Sequence, residues 1–452
     1  MQESTLQDAA VPHPVPFSEA LRVWLKVALL SFGGPAGQIS VMHRILVEEK
    51  RWISESQFLH ALNYCMLLPG PEAQQLATYV GWLLHGTRGA LVAGSLFVLP
   101  GFVAILLLSL LYGFYQDAPL LQAVFYGLKA AVLAVVIDAV VRIGRRVLKN
   151  LVLVAVASAA FVALFFFSVP FPAVIMIAAI AGLVGGRFWP DTFQVIKPHA
   201  AGDVEHRRQH TGVRSGLRRT LLVGAIGALL WFAPIVLLVV FLGEQHILIA
   251  QAEFFSKAAV VTFGGAYSVL AYIAQQAVEH YHWLTPAEML NGLGMAETTP
   301  GPLIQVVQYV GFMGAFRDPA PFSPLAAGVL ASVIVTWVTF VPCFIWILIG
   351  APYVESMRDN VRLNAALSTI TAAVVGVVLN LAVWFSLHVL FGSVSELRSG
   401  PLRLLIPDMQ TLDGIALLIA MAALLMLRTT RLGLLKTLAI STITGALIFL
   451  VF

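Results

Sequence analysis

Charge is what this chain has least of. Of 452 residues, 11% are Asp, Glu, Lys or Arg, while 59% are hydrophobic. Soluble domains carry about 25% charged residues, so a water-soluble globule is excluded. There are two cysteines, Cys65 and Cys343, far apart in apolar surroundings. With no ligand-spaced His or Cys beside either, they read as packing residues and not as a disulfide, a metal pair or a redox centre. No His cluster, Ser-His pair or metal motif appears, which disfavours a membrane-embedded enzyme and implies no cofactor and no metal. A strand-built barrel is excluded because the apolar runs are of helix length. The opening stretch, Met1 to Phe17, is polar and proline-spotted, and no cleavable secretory signal is expected in it.

What remains is an all-α polytopic membrane protein, with a mean hydropathy of +0.88 and the lipid bilayer as its solvent. The formal net charge of +4 and pI near 9.1 come from Lys and Arg spread over loops. That is the pattern of positive cytoplasmic loops, and it does not suggest nucleic acid. The chain divides into a tail (1–20), a first half (21–189), a polar basic linker (190–219), an unpaired span (220–243) and a second half (250–452). The linker, with Arg207, Arg208, Arg214, Arg218 and Arg219, is expected in the cytoplasm.

The two halves are copies. Lys26 and Lys257 are 231 positions apart, and so are Gly33 and Gly264, Glu48 and Glu279, Trp52 and Trp283, and Pro69-Gly70-Pro71 and Pro300-Gly301-Pro302. Tyr79-Val80-Gly81-Trp82 matches Tyr309-Val310-Gly311-Phe312 after a one-residue deletion. One register held over that length marks a fused duplication. The unpaired span can turn the second half over relative to the first. If each Pro-Gly-Pro pair passes through, there are 13 crossings and inverted halves; if each re-enters, there are 11 and parallel halves; inverted halves are expected. Ser54 to Leu84 as one straight helix would be about 45 Å long against a hydrocarbon core of about 30 Å, which favours a bend or a re-entrant hairpin. The positions of Arg358, Arg362, Arg428, Arg431 and Lys436 favour passage instead.

Each half carries two breaks where a plain helix would be expected. Phe32-Gly33-Gly34-Pro35 and Phe263-Gly264-Gly265-Ala266 are one kind; Leu68-Pro69-Gly70-Pro71 and Thr299-Pro300-Gly301-Pro302 are the other. A Pro-Gly-Pro triplet cannot continue a helix. In a membrane such a break is tolerated only where protein or a watery cavity covers it. Broken elements in matching places of two halves point to a transporter's substrate site. The amides freed at the new helix starts suit an anion. Gly33, Gly34, Gly264, Gly265, Pro69, Gly70, Pro71, Pro300, Gly301 and Pro302 are therefore candidate binding residues. Thr298, Thr299, Gln74 and Gln305 join them as neutral donors.

Lys26 and Lys257, about two helical turns ahead of the glycine breaks, are candidates to attract the anion; the alternative is snorkelling to the interface. Glu297 stands in an apolar stretch with no basic residue near it in sequence, and its repeat equivalent is Met66. An intramembrane carboxylate is a functional hypothesis by default, and Glu297 is a candidate proton carrier. Glu72, directly after the first Pro-Gly-Pro, is a second candidate, or a helix cap. Asp138 is expected to pair with Arg142 at i+4.

At these residues the sequence resembles the chromate ion transporter (CHR) family in its long, two-domain form. Ser31-Phe32-Gly33-Gly34-Pro35, Leu68-Pro69-Gly70-Pro71, Thr262-Phe263-Gly264-Gly265, Glu297-Thr298-Thr299-Pro300-Gly301-Pro302 and Gln308-Tyr309-Val310-Gly311-Phe312 carry the resemblance. It implies a bacterial inner-membrane carrier that exports chromate and confers resistance, driven by protons, with sulfate or another oxyanion as the alternative substrate. An anion channel, which would need a continuous polar pore, is the alternative of another class. A homodimer is a further expectation. The family's second-half motif usually reads Ala-Thr-Pro-Gly-Pro, whereas Thr298 precedes Thr299 here.

Overall fold

The computed structural model describes residues 15–193, 217–263, 265–351, 361–430 and 432–451. Gly264, Arg358, Arg431 and most of the basic linker lie outside them.

The first half opens with two helix pairs that turn back on themselves. Helix α1 (Phe17–Leu30) stops at Ser31, and α2 (Gly34–His43) runs on through a π-helical stretch, Arg44–Glu49. The return is antiparallel: Lys50 meets Glu19 at 2.7 Å and Lys26 meets Glu49 at 3.2 Å. Helix α3 (Glu55–Cys65) and the first limb of α4 (Glu72–Tyr115) form the next pair. His43 Nε2 lies 2.5 Å from Glu55 at the start of α3, and His85, at the end of the limb, bonds the carbonyl of Val15 at 2.7 Å. Both pairs thus enter and leave by one face. At Gly86 (φ 59°, ψ −148°) the chain doubles back, and the second limb of α4 packs on the first. A Cβ on Gly81 would stand 2.4 Å from the carbonyl oxygen of Gly89, so this approach requires glycine.

Helices α5 (Pro119–Val147), α6 (Leu151–Phe167), α7 (Phe171–Phe188) and the short α8 (Pro190–Phe193) complete the half; α9 (Leu217–Leu242) is the unpaired span.

The second half repeats the plan from the opposite face. Helix α10 (Ile247–Val261) is followed by α11 (Ala266–Gln275) and a π-helical stretch, Gln276–His280. Tyr281 and Trp283 turn back to pack tilted and edge-on against Phe254, with ring centroids 5.4 and 5.8 Å apart. Helices α12 (Pro286–Thr298) and α13 (Val306–Arg317) are bound at their outer ends by the Arg317–Glu288 ion pair. The α3 and α12 starts carry the same capping box, Ser54 with Gln57 and Thr285 with Glu288, at the repeat offset. Helices α14 (Pro324–Gly350), α15 (Val361–Leu390), α16 (Gly414–Thr429) and α17 (Leu434–Val451) follow. Between α15 and α16 sits a hairpin that no hydropathy reading anticipates, β1 (Val394–Ser399) antiparallel to β2 (Leu402–Pro407).

Among the described residues seven helices are long and apolar enough to cross a membrane, and two shorter apolar ones, α6 and α16, join them. Following the chain through these and the four returning pairs places the second limb of α4, α5, α6 and α7 in the first half, α9 between the halves, and α14 to α17 in the second. The through-going helices are fewer than the 11 to 13 crossings expected because the opening span of each half re-enters along with the Pro-Gly-Pro pair. With four crossings in the first half and one between, the halves are inverted. The face that holds Arg44, Arg142, Arg145, Arg146, Arg187, Arg218 and Arg428 is basic overall despite Glu19, Glu48, Glu49 and Glu55; on the opposite face Asp117, Glu279, Glu288, Asp318, Glu396, Asp408 and Asp413 outnumber Arg317, Arg398 and Arg403. The positive-inside rule assigns the basic face to the cytoplasm.

Candidate functional site

The four breaks form the tips of the four returning pairs, and they meet. The amide of Gly70 donates to the carbonyl of Thr262 at 2.8 Å, and the amide of Gly301 donates to the carbonyl of Ser31 at 2.9 Å. Both donors and both acceptors are related by the repeat offset, so each Pro-Gly-Pro tip is tied to the Phe-Gly-Gly tip of the other half. Ser31 and Thr262 free their own carbonyls for this by ending a helix, and each hydroxyl turns back to a carbonyl four residues earlier at 2.6 Å. An orphaned amide at this depth costs several kcal/mol, against about 1 kcal/mol net for an ordinary hydrogen bond. These two bonds therefore lock the crossing. Gln38 adds a third, from Nε2 to the carbonyl of Gly301 at 2.6 Å.

Each tip also seats on the long helix of the other half, beside its internal proline. A Cβ on Gly101, next to Pro100, would lie 2.7 Å from the carbonyl oxygen of Pro300; one on Gly70 would lie 2.9 Å from Cys343 Sγ, next to Pro342. Cys343 is buried and packs here.

The sequence candidates divide on this frame. Gly33 (φ 80°), Gly34 (φ 71°) and Gly265 (φ 95°) hold left-handed backbone at the tips. The starts of α2, α4, the 3-10 turn before α13, and α11 have no side-chain cap, as is also true of α1, α5 and α7, whereas α3, α12 and α14 are capped. The first amides at the four tip starts have no side-chain acceptor at the N-cap. The amides of Gly70 and Gly301 are taken, because the carbonyls of Thr262 and Ser31 hold them. Gln74 bonds Thr78 at 3.1 Å; Gln305 bonds Gln308 at 2.6 Å and Thr336 at 3.1 Å. The Oε1 atoms of Gln74 and Gln305 have no partner among the described residues. Thr298 and Thr299 hydroxyls turn to their own helix, to Gly294 at 2.9 Å and Ala296 at 3.4 Å.

Lys26 and Lys257 are not brought to the tips. Both are more than half exposed and pair with Glu49 at 3.2 Å and Glu253 at 3.6 Å. Their flexible stems follow the helix exterior, where the charge stays solvated.

Glu297 is fully buried, and Tyr267 donates to its Oε1 at 2.5 Å; its Oε2 has no partner among the described residues. The same Tyr267 hydroxyl lies 3.7 Å from where a Cβ of Gly34 would be. Glu72 reaches the opposite glycine break, its Oε1 lying 3.8 Å from an ideal Cβ on Gly265. Tyr267 was not among the sequence candidates. A signal existed: its repeat equivalent is Ala36, so it departs from the duplication as Glu297 does from Met66.

A cavity of about 320 Å³ opens beside this dyad, bounded by Gly33, Asp138, Arg142, Tyr267, Thr430 and Gly433. It runs from the Gly33 tip toward the basic face. Residues 18–183 and 249–449 both match the sequence model of the chromate transporter family. The chain belongs to the chromate transporter family. The two matched regions are the two structural halves, and the gap between them holds the linker and α9. Among relatives of this chromate transporter family member, a chromate transport protein of Pseudomonas aeruginosa is 33% identical over 82% of this chain and 81% of its own length. A chromate transport protein of Cupriavidus metallidurans is 28% identical over 78% and 79%. A probable chromate transport protein of Synechococcus elongatus is 26% identical over 81% and 84%. No solved structure matches the chain.

Proposed function

We propose that this protein exports chromate, a tetrahedral dianion, across a bacterial inner membrane in exchange for protons, and so confers chromate resistance. The observation that carries the reading is the crossed tip pair, Gly70 to Thr262 and Gly301 to Ser31. It gathers four uncapped helix starts and one buried carboxylate at the point where inverted halves meet, as expected of a carrier. Amides at the starts of α2, α4, α11 and α13, with the glycines Gly33, Gly34 and Gly265, would cradle the anion; Gly264, a further candidate, lies outside the described residues. Pro69, Pro71, Pro300 and Pro302 break the helices, and Gly70 and Gly301 fasten the breaks. Gln74 and Gln305 supply neutral groups. Glu297, in contact with Tyr267, carries the proton, with Glu72 placed to assist. Export is supported by the cavity, which faces the side assigned to the cytoplasm.

The test is radiolabelled chromate flux in inverted membrane vesicles, with sulfate as competitor and an uncoupler added. Uptake driven by a proton gradient and collapsed by the uncoupler is the expected result. Vesicles that accumulate sulfate in preference to chromate would reassign the substrate, and flux indifferent to the gradient would remove the coupling.

A further inference from the structure

The cavity beside Gly33 contains charges that the tip site does not account for. Asp138 and Arg142, which line it, lie one turn apart on α5, and Arg428, next to the lining residue Leu427 at the end of α16, reaches Asp138 from beside the lining. Arg142 Nη1 stands 3.9 Å from one Asp138 oxygen and Arg428 Nε stands 3.7 Å from the other. Both distances are within ion-pair range but beyond a hydrogen bond. One carboxylate thus faces two guanidinium groups, leaving an excess of positive charge whose N–H donors are not taken up by it. Thr430, Gly33 and Tyr267, whose hydroxyl bonds Glu297, also line the space. At about 30 Å³ per water, the 320 Å³ space holds a tetrahedral oxyanion together with several waters.

We infer that Arg142 and Arg428 form a loading site for a dianionic tetrahedral oxyanion on the cytoplasmic side of the tips, with Asp138 as a tethered counter-ion that the substrate replaces. This rests on the transport reading and adds the residues that select the substrate's charge. A planar guanidinium donates two parallel hydrogen bonds to an oxyanion, which an ammonium cannot do. The loosely held Asp138 keeps the two arginines facing each other while the site is empty. When the dianion arrives, it takes their donors, and the carboxylate is left to water in the cavity mouth. No covalent step is involved.

The test combines flux with binding. In inverted vesicles, Arg142→Gln and Arg428→Gln are each expected to raise the KM for chromate about tenfold or more with a smaller change in maximal rate, and Arg142→Lys to recover only part. Asp138→Asn is expected to lower KM about threefold, because the competing charge is gone. In detergent, sodium chromate or sodium sulfate at matched ionic strength should raise the melting temperature of the wild type more than that of Arg142→Gln. Variants with wild-type KM and an undiminished melting shift would overturn the loading site, even with chromate transport intact. If wild-type vesicles carry no chromate, the transport reading falls, while a melting shift lost in Arg142→Gln still supports the oxyanion site and its retention still overturns it.

Discussion

The hydroxyl of Tyr267 lies 2.5 Å from Oε1 of Glu297, and the other carboxylate oxygen has no partner among the described residues. The two residues come from consecutive returning pairs of the second half, and neither has a chemical equivalent in the first. A two-fold arrangement of tips thus holds a one-sided Tyr–Glu dyad, which the proposed transport reading makes a proton position, with Glu72 beside the opposite glycine break.

Removing that position separates coupling from folding. Glu297→Gln keeps the shape and a hydrogen-bonding partner for Tyr267, so membrane expression should persist while gradient-driven chromate uptake disappears. Tyr267→Phe leaves the carboxylate without its donor and should reduce uptake about tenfold and alter its pH profile. Flux against pH in vesicles of both variants is the measurement; a wild-type profile in Glu297→Gln would end its role.

The tip crossing depends on glycine at Gly101. A methyl there would meet the Pro300 carbonyl at 2.7 Å, and backbone must shift to admit it. Gly101→Ala should cost about 1–3 kcal/mol, as overpacking does elsewhere, and lower flux further than stability alone explains. Gly414→Ala, where no neighbour lies within 4 Å, is the control expected to change neither. Thermal unfolding in detergent alongside flux distinguishes them.

The β hairpin, whose Leu405 packs on the core, is also tied to the second half through Arg403. Arg403 is almost buried and donates to both oxygens of Glu279, at 3.0 and 2.7 Å, while Trp384 Nε1 bonds the same carboxylate at 3.0 Å. Arg403→Gln should destabilise the protein by about 3 kcal/mol, since it strands a partly buried carboxylate. Hydrogen exchange should show the loss concentrated in 394–407.

The same hairpin should loosen in acid. Arg398 beside Glu396, assisted by Arg403, holds its carboxyl below the usual carboxylate range. A carboxyl lowered in the folded state contributes stability above its unfolded pKa, and that contribution is lost as pH falls through the folded value. Glu396 is substantially solvated, so the effect should be small. Comparing Glu396→Gln with the wild type by hairpin exchange rates at falling pH checks it; an acid-dependent loosening unchanged in the variant would assign it to another group.

Lys26 and Lys257 should prove dispensable for substrate affinity. Each sits in an exposed ion pair, of a kind that contributes about 1 kcal/mol or less. Lys26→Ala and Lys257→Ala should keep the chromate KM within about twofold of wild type, measured in the same vesicles.

Much of this was legible in the residues alone. Low charge and helix-length apolar runs define a helical membrane protein, because burying unpaired backbone in lipid leaves few other solutions. The offset of 231 residues reveals the duplication, and Pro-Gly-Pro and Phe-Gly-Gly mark where helices must stop, since these residues lack the geometry or the amide to continue. What lay beyond the sequence was where each stopped chain goes next. Turning back and passing through leave the same hydropathy trace. The meeting of Lys50 with Glu19, of His85 with Val15 and of Arg317 with Glu288 distinguishes them. Pairing partners were equally hidden: Gly70 finds Thr262 across 192 positions (262 minus 70). Which amides are taken, which lysines face away, and that Tyr267 touches Glu297 are consequences of packing between distant segments, and local sequence carries no record of them.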